Sequence, residues 1–256
     1  MRTKYVAFHS VSILMICFLM ISSCKDSEKP SPTPQIIPSY LNSNISYGSV
    51  TDIDGNKYAT VTIGGQTWMA ENLRTTKYRN GDPIPNITDS VSWSVLTSGA
   101  QCTYNNSNLT DSISKNGRLY NWFAVTDTRN IAPIGWHLAT VDEWKALSVY
   151  VSANFGNSIN AAKALASTRG WSSTLATGAV GNSASLNNST GFSALPCGIR
   201  ASSGLFDFRS TGGYWWTALE GDSNNAWGNY LGSSTNSISG EFGIKQSGLS
   251  IRCVKD

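Results

Sequence analysis

Lys57-Tyr58-Ala59-Thr60-Val61-Thr62-Ile63-Gly64-Gly65-Gln66-Thr67-Trp68-Met69-Ala70-Glu71-Asn72-Leu73 is the stretch on which the fold reading turns. Tyr58, Thr60 and Thr62 alternate with Ala59, Val61 and Ile63, the two-residue period of a strand with unlike faces. Gly64-Gly65 makes a tight turn, and Gln66 to Leu73 can return as a second strand. Asp54-Gly55-Asn56 is a further turn signal just ahead. The ordered part of the chain therefore opens, near Val50, with a hairpin or meander.

Outward from the hairpin the pattern changes. Residues 75–116 are polar with scattered Pro and Gly and read as long loops, and Gly117 to Phe123 as a short buried helix or turn. Thr140-Val141-Asp142-Glu143 has the form of a capping box, in which the hydroxyl and the carboxylate each satisfy a free amide at a helix start. Val141, Trp144, Leu147 and Val151 follow at helical spacing, predicting an amphipathic helix over 141–152. Ile159 to Ser167 predicts a second helix, stopped by Gly170. Beyond it lie strand-like runs at Phe192–Leu195 with Ile199, Gly204–Phe208, Tyr214–Leu219, Ala226–Leu231 and Gly248–Val254. Helices in the middle and strands at both ends give an α+β class: mixed antiparallel sheets, two helices and long loops. The last strand needs a partner, and the strands near Val61 are the natural candidates.

The N-terminus reads as export machinery. Met1-Arg2-Thr3-Lys4 is basic, Tyr5 to Met20 is largely apolar, and Ile21-Ser22-Ser23-Cys24 resembles a lipobox, which makes Cys24 the lipidation site. Residues 1–23 are then a signal peptide. Residues 24–48 form a tether stiffened by Pro30, Pro32, Pro34 and Pro38, and residues 49–256 form the domain. Acyl chains at Cys24 would make the membrane a partner, placing the protein at the outer membrane, on the periplasmic side or the cell surface. Hydrophobic residues make up 40% of the chain and charged ones 14%, enough apolar material for a real core. Loss of Arg2 and Lys4 with the signal leaves 17 of the 19 basic groups against 16 acidic ones, which gives no electrostatic case for nucleic acid.

Several motifs together resemble one family, the major paralogous domain first noticed in Fibrobacter. They are Tyr58–Ile63 with Gln66–Leu73, Gly117–Trp122, Gly135-Trp136-His137-Leu138 with Glu143-Trp144, Gly191–Pro196, Trp215-Trp216-Thr217 and Ser250–Asp256. They span about residues 50–256. The resemblance implies a C-type-lectin-like fold in a bacterial lipoprotein, akin in architecture to formylglycine-generating enzymes. It implies fold and location rather than a reaction. Relatives often carry a Cys just before the Pro-x-Gly-Trp-His stretch, where this chain has Ala132. By that resemblance Cys197 takes over the role and bridges to Cys253. The other reading leaves Cys102, Cys197 and Cys253 as buried thiols acting as small hydrophobes.

Catalytic material is sparse. His137 is the one histidine left after the signal, and a Ser-His-Asp or Cys-His arrangement would have to use it. The plainer reading is a buried or half-buried histidine that hydrogen-bonds the backbone and orders the entry to helix 141–152. No Cys-x-x-Cys pair supplies a zinc site. The lectin calcium motifs are missing, so no cofactor is implied; calcium would need Asp207, Glu220, Asp222 and Glu241 to converge. Trp216, Trp227, Asn225 and Asn229 offer aromatic faces with amide hydrogen bonds, which suit a sugar. The leading expectation is a non-catalytic surface module that binds an extracellular glycan or protein. The alternatives are a formylglycine-generating-enzyme-like catalyst using Cys197, Cys253 or a metal, and a structural assembly protein.

Overall fold

The computed structural model describes residues 1–4, 38–155 and 160–256; Cys24, with nearly all of the signal and the first part of the tether, lies outside them. The strands are β1 (Gly48–Thr51), β2 (Lys57–Ile63), β3 (Gln66–Met69), β4 (Gln101–Cys102), β5 (Leu119–Tyr120) and β6 (Trp136–Leu138), then β7 (Ile199–Arg200), β8 (Phe206–Asp207), β9 (Gly212–Glu220), β10 (Asn225–Gly232), β11 (Ser239–Ile244) and β12 (Cys253–Lys255). The helices are α1 (Ser90–Ser94), α2 (Thr110–Asn116), α3 (Trp122–Val125), α4 (Val141–Asn154) and α5 (Ala161–Leu165). The fold is α+β, with antiparallel sheets and few helices.

The β2–β3 hairpin forms as the alternation predicts, with Ile63 paired to Gln66 and both turn glycines at positive φ. The last strand pairs, as expected, with one of the early strands near Val61. β2 already has β1 and β3 on its two sides, so β12 pairs with β3, through Val254 and Trp68, and with β6. The resulting sheet runs β1-β2-β3-β12-β6, beside a three-stranded sheet β11-β10-β9. The segment before β12 stitches these parts together, because Gly248 bridges Arg200, Leu249 bridges Tyr120 and Ser250 bridges Trp215.

Strand alternation sorts the aromatics into two cores. Trp68, Trp215 and Val254 join Trp144, Phe192 and Leu147 in one cluster, while their neighbours Met69, Trp216 and Cys253 join Tyr58, Tyr120 and Trp136 in the other. This sorting corrects the expected Cys197–Cys253 bridge. Cys197 belongs to the first cluster and Cys253 to the second, and Cys102, Cys197 and Cys253 are all free and buried.

Other segments depart from the sequence reading. Residues 75–116 carry α1, α2 and β4 rather than loop alone. Phe192–Leu195 is no strand: Ser193 takes a φ of +57°, and its amide and hydroxyl both bond the Asn188 side chain, which keeps the segment irregular. The expected tether is docked from Pro38 onward. Tyr40 and Leu41 are buried in the first core, and the Tyr40 hydroxyl donates to Glu71. α4 begins on the predicted capping box, with Thr140 accepting from the Glu143 amide and Glu143 from the Thr140 amide. The second helix is shorter than expected, and Ile159 lies outside the described residues.

Candidate functional site

α4 carries two stripes. Trp144, Leu147 and Val151 are buried in the first core. Val141, Lys145, Ser148 and Val149, on an adjoining stripe, face β10 and β11 across a groove of about 250 Å³. The facing side is Trp227, Gly228 and Asn229 of β10 with Gly240 of β11, and Ile238 also lines the groove.

β-register builds the sheet side. Trp227 stands directly opposite Phe242, their ring centroids 3.9 Å apart at 38°. Phe242 is 57% exposed, so the aromatic pair remains open to solvent beside the groove. Asn229 stands opposite Gly240, where a Cβ would lie 3.4 Å from the Trp227 ring; glycine keeps the indole clear. Among the described residues neither the Asn229 amide side chain nor the Lys145 ammonium has a hydrogen-bond or ion-pair partner.

The structure brings together two of the four sequence-predicted ligand residues, Trp227 and Asn229. The other two lie elsewhere. Trp216 is fully buried in the second core and its indole donates to the Tyr120 carbonyl at 2.9 Å. Asn225 is tied to both carboxylate oxygens of Asp222 in a turn. Lys145, Ser148 and Phe242 were not singled out from sequence. The cross-strand rule could have found Phe242 once the β10–β11 register was known.

The other candidate groups lie outside the groove. His137 Nδ1 lies 2.7 Å from Asp256 and Nε2 2.8 Å from Glu143, so each ring nitrogen faces a carboxylate rather than a hydroxyl or thiol. Burial pushes the thiols of Cys102 and Cys197 up to about 11 and that of Cys253 to about 12, holding them protonated. Of the four candidate calcium ligands, Glu220 pairs with Lys245 and Asp222 caps its own turn. Asp207 accepts from the Phe208 amide, and Glu241 lies across from Gly228. Among the described residues no three His, Cys, Asp or Glu side chains gather as a metal-binding group.

The resemblance motifs meet at a buried polar hub. Asn72 Oδ1 accepts from the Trp215 indole at 2.9 Å and from Arg252 Nε at 2.7 Å. The Arg252 guanidinium also donates to the carbonyls of Met69, Phe192 and Ser193 and lies over the Phe192 ring. A buried cation without this set of acceptors would cost several kcal/mol, so these residues are tied to one another by folding.

The molecule is thus an α+β scaffold organised round a polar hub, with an aromatic groove between α4 and its three-stranded sheet. It belongs to the family described as the Fibrobacter succinogenes major domain, which matches over residues 61–255. No curated protein and no solved structure matches the chain.

Proposed function

We propose that this chain is a lipid-tethered surface module of C-type-lectin-like fold that binds an extracellular glycan, without catalysis, in the groove between α4 and β10–β11. The carrying observation is the Trp227–Phe242 pair, which keeps an exposed aromatic surface beside the unpartnered Asn229 amide and the Ser148 hydroxyl. Sugars present apolar ring faces and flanking hydroxyls, and a groove with aromatic carbon and an amide on its sheet wall and a hydroxyl on its helix wall meets both. The lipobox-like run at Cys24 and the Pro-rich tether support display at the outer membrane. The groove supplies its contacts without calcium or another metal.

The test is a glycan array with the mature domain and with Trp227→Ala. The expected result is binding to a restricted set of glycans that weakens at least about tenfold in the variant, the scale of a truncated aromatic anchor. A wild-type domain that binds no glycan, or a variant that binds as well as wild type, overturns the reading.

A further inference from the structure

From the charges of this groove we infer that its ligand is an acidic saccharide, with the Lys145 ammonium receiving a carboxylate or sulfate on the sugar. The inference rests on the glycan reading of the groove and narrows it to one class. Among the described residues lining the groove, Lys145 is the single charged group. It is exposed, on the α4 wall facing Trp227 and Asn229, and among the described residues no carboxylate lies within ion-pairing distance.

The neighbouring acids are turned to other work. Glu143 is held by His137, the Thr140 amide and the Thr140 hydroxyl. Glu241 shares a register position with Gly228, one residue out of phase with Trp227 and Asn229, so it belongs to the opposite sheet face, where its charge acts on Tyr214 and Tyr230. Asp142 precedes Lys145 by three residues on α4, and the two do not form an ion pair. The groove therefore holds one uncompensated positive charge beside an aromatic face. A neutral sugar would leave that charge unused. An anionic one would gain a charge-assisted hydrogen bond.

Calorimetry on four probes of matched length tests this: an oligogalacturonate and its methyl ester, and a sulfated oligosaccharide and its unsulfated parent. The wild-type domain should bind at least one acidic probe about tenfold more tightly than its neutral partner, the scale of one hydrogen bond to a charged group. That preference should fall with ionic strength. Lys145→Met should abolish the preference and its salt dependence while keeping the weaker binding of the neutral form, and Lys145→Arg should retain it. A preference confined to one acidic probe identifies carboxylate or sulfate as the group received. Equal binding of acidic and neutral probes, or a preference that survives in Lys145→Met, overturns the inference and leaves the glycan reading standing. A domain that binds acidic and neutral sugars alike only weakly at a site untouched by Trp227→Ala overturns both.

Discussion

His137 shows how a single residue can be placed by sequence and yet be understood only through its partners. Both ring nitrogens face carboxylates rather than the expected backbone groups, although its position ahead of the helix cap was legible. Its partners were not, because Asp256 lies 119 residues away. Burial opposes the imidazolium, but the hydrogen bonds to Asp256 and Glu143 outweigh it, and its pKa stands above the ordinary histidine value. The stabilisation is then complete below the unfolded-state pKa of about 6.5 and fades as pH rises through the higher folded-state value. Melting temperatures of wild type and His137→Gln should differ most at about pH 5.5, and the gap should close toward about pH 8.5. A gap that is constant or widens with pH would contradict this assignment. The site residues divide in the same way. Trp227 and Asn229 were legible as aromatic and amide, but so were Trp216 and Asn225, which the structure places elsewhere. Phe242 and Lys145 were not, because each joins the groove only through another element.

At the scale of the element, α4 was the most readable part of the chain. Its cap, its first turn and its buried stripe are all local, set by residues within two turns of one another. Thr140→Ala removes the hydroxyl that accepts from the Glu143 amide and should cost about 1 kcal/mol, lowering the melting temperature by roughly 2–4 °C. A thermal melt followed by circular dichroism measures it, and an unchanged midpoint would mean the cap contributes nothing. Elements without such local signatures were misjudged. α1 and α2 arise in a polar stretch whose helices are only 5 and 7 residues long, too short for a clear period. Phe192–Leu195 has strand composition, but the Asn188 side chain captures the Ser193 backbone and bends it away from extension.

Across the whole molecule, the segment 248–255 decides the assembly, since it touches β5, β7 and β9 before entering the five-stranded sheet. A chain ending at Arg252 loses β12, leaves the facing edges of β3 and β6 unpaired and opens both cores. It should show no cooperative thermal transition and should bind a hydrophobic dye, whereas a sharp melt near the wild-type midpoint would show that β12 is dispensable. The sequence by itself determined the hairpin and the capped helix, because periodicity and turn chemistry act between neighbours, and its motifs carried the family. The tertiary structure alone decided that β12 lies between β3 and β6, that Cys197 and Cys253 face different cores, and that α4 lies against β10–β11 to form a groove. Those outcomes depend on contacts such as Asn72 with Arg252, 180 residues apart. Their energy comes from burying and satisfying groups that no local pattern brings together.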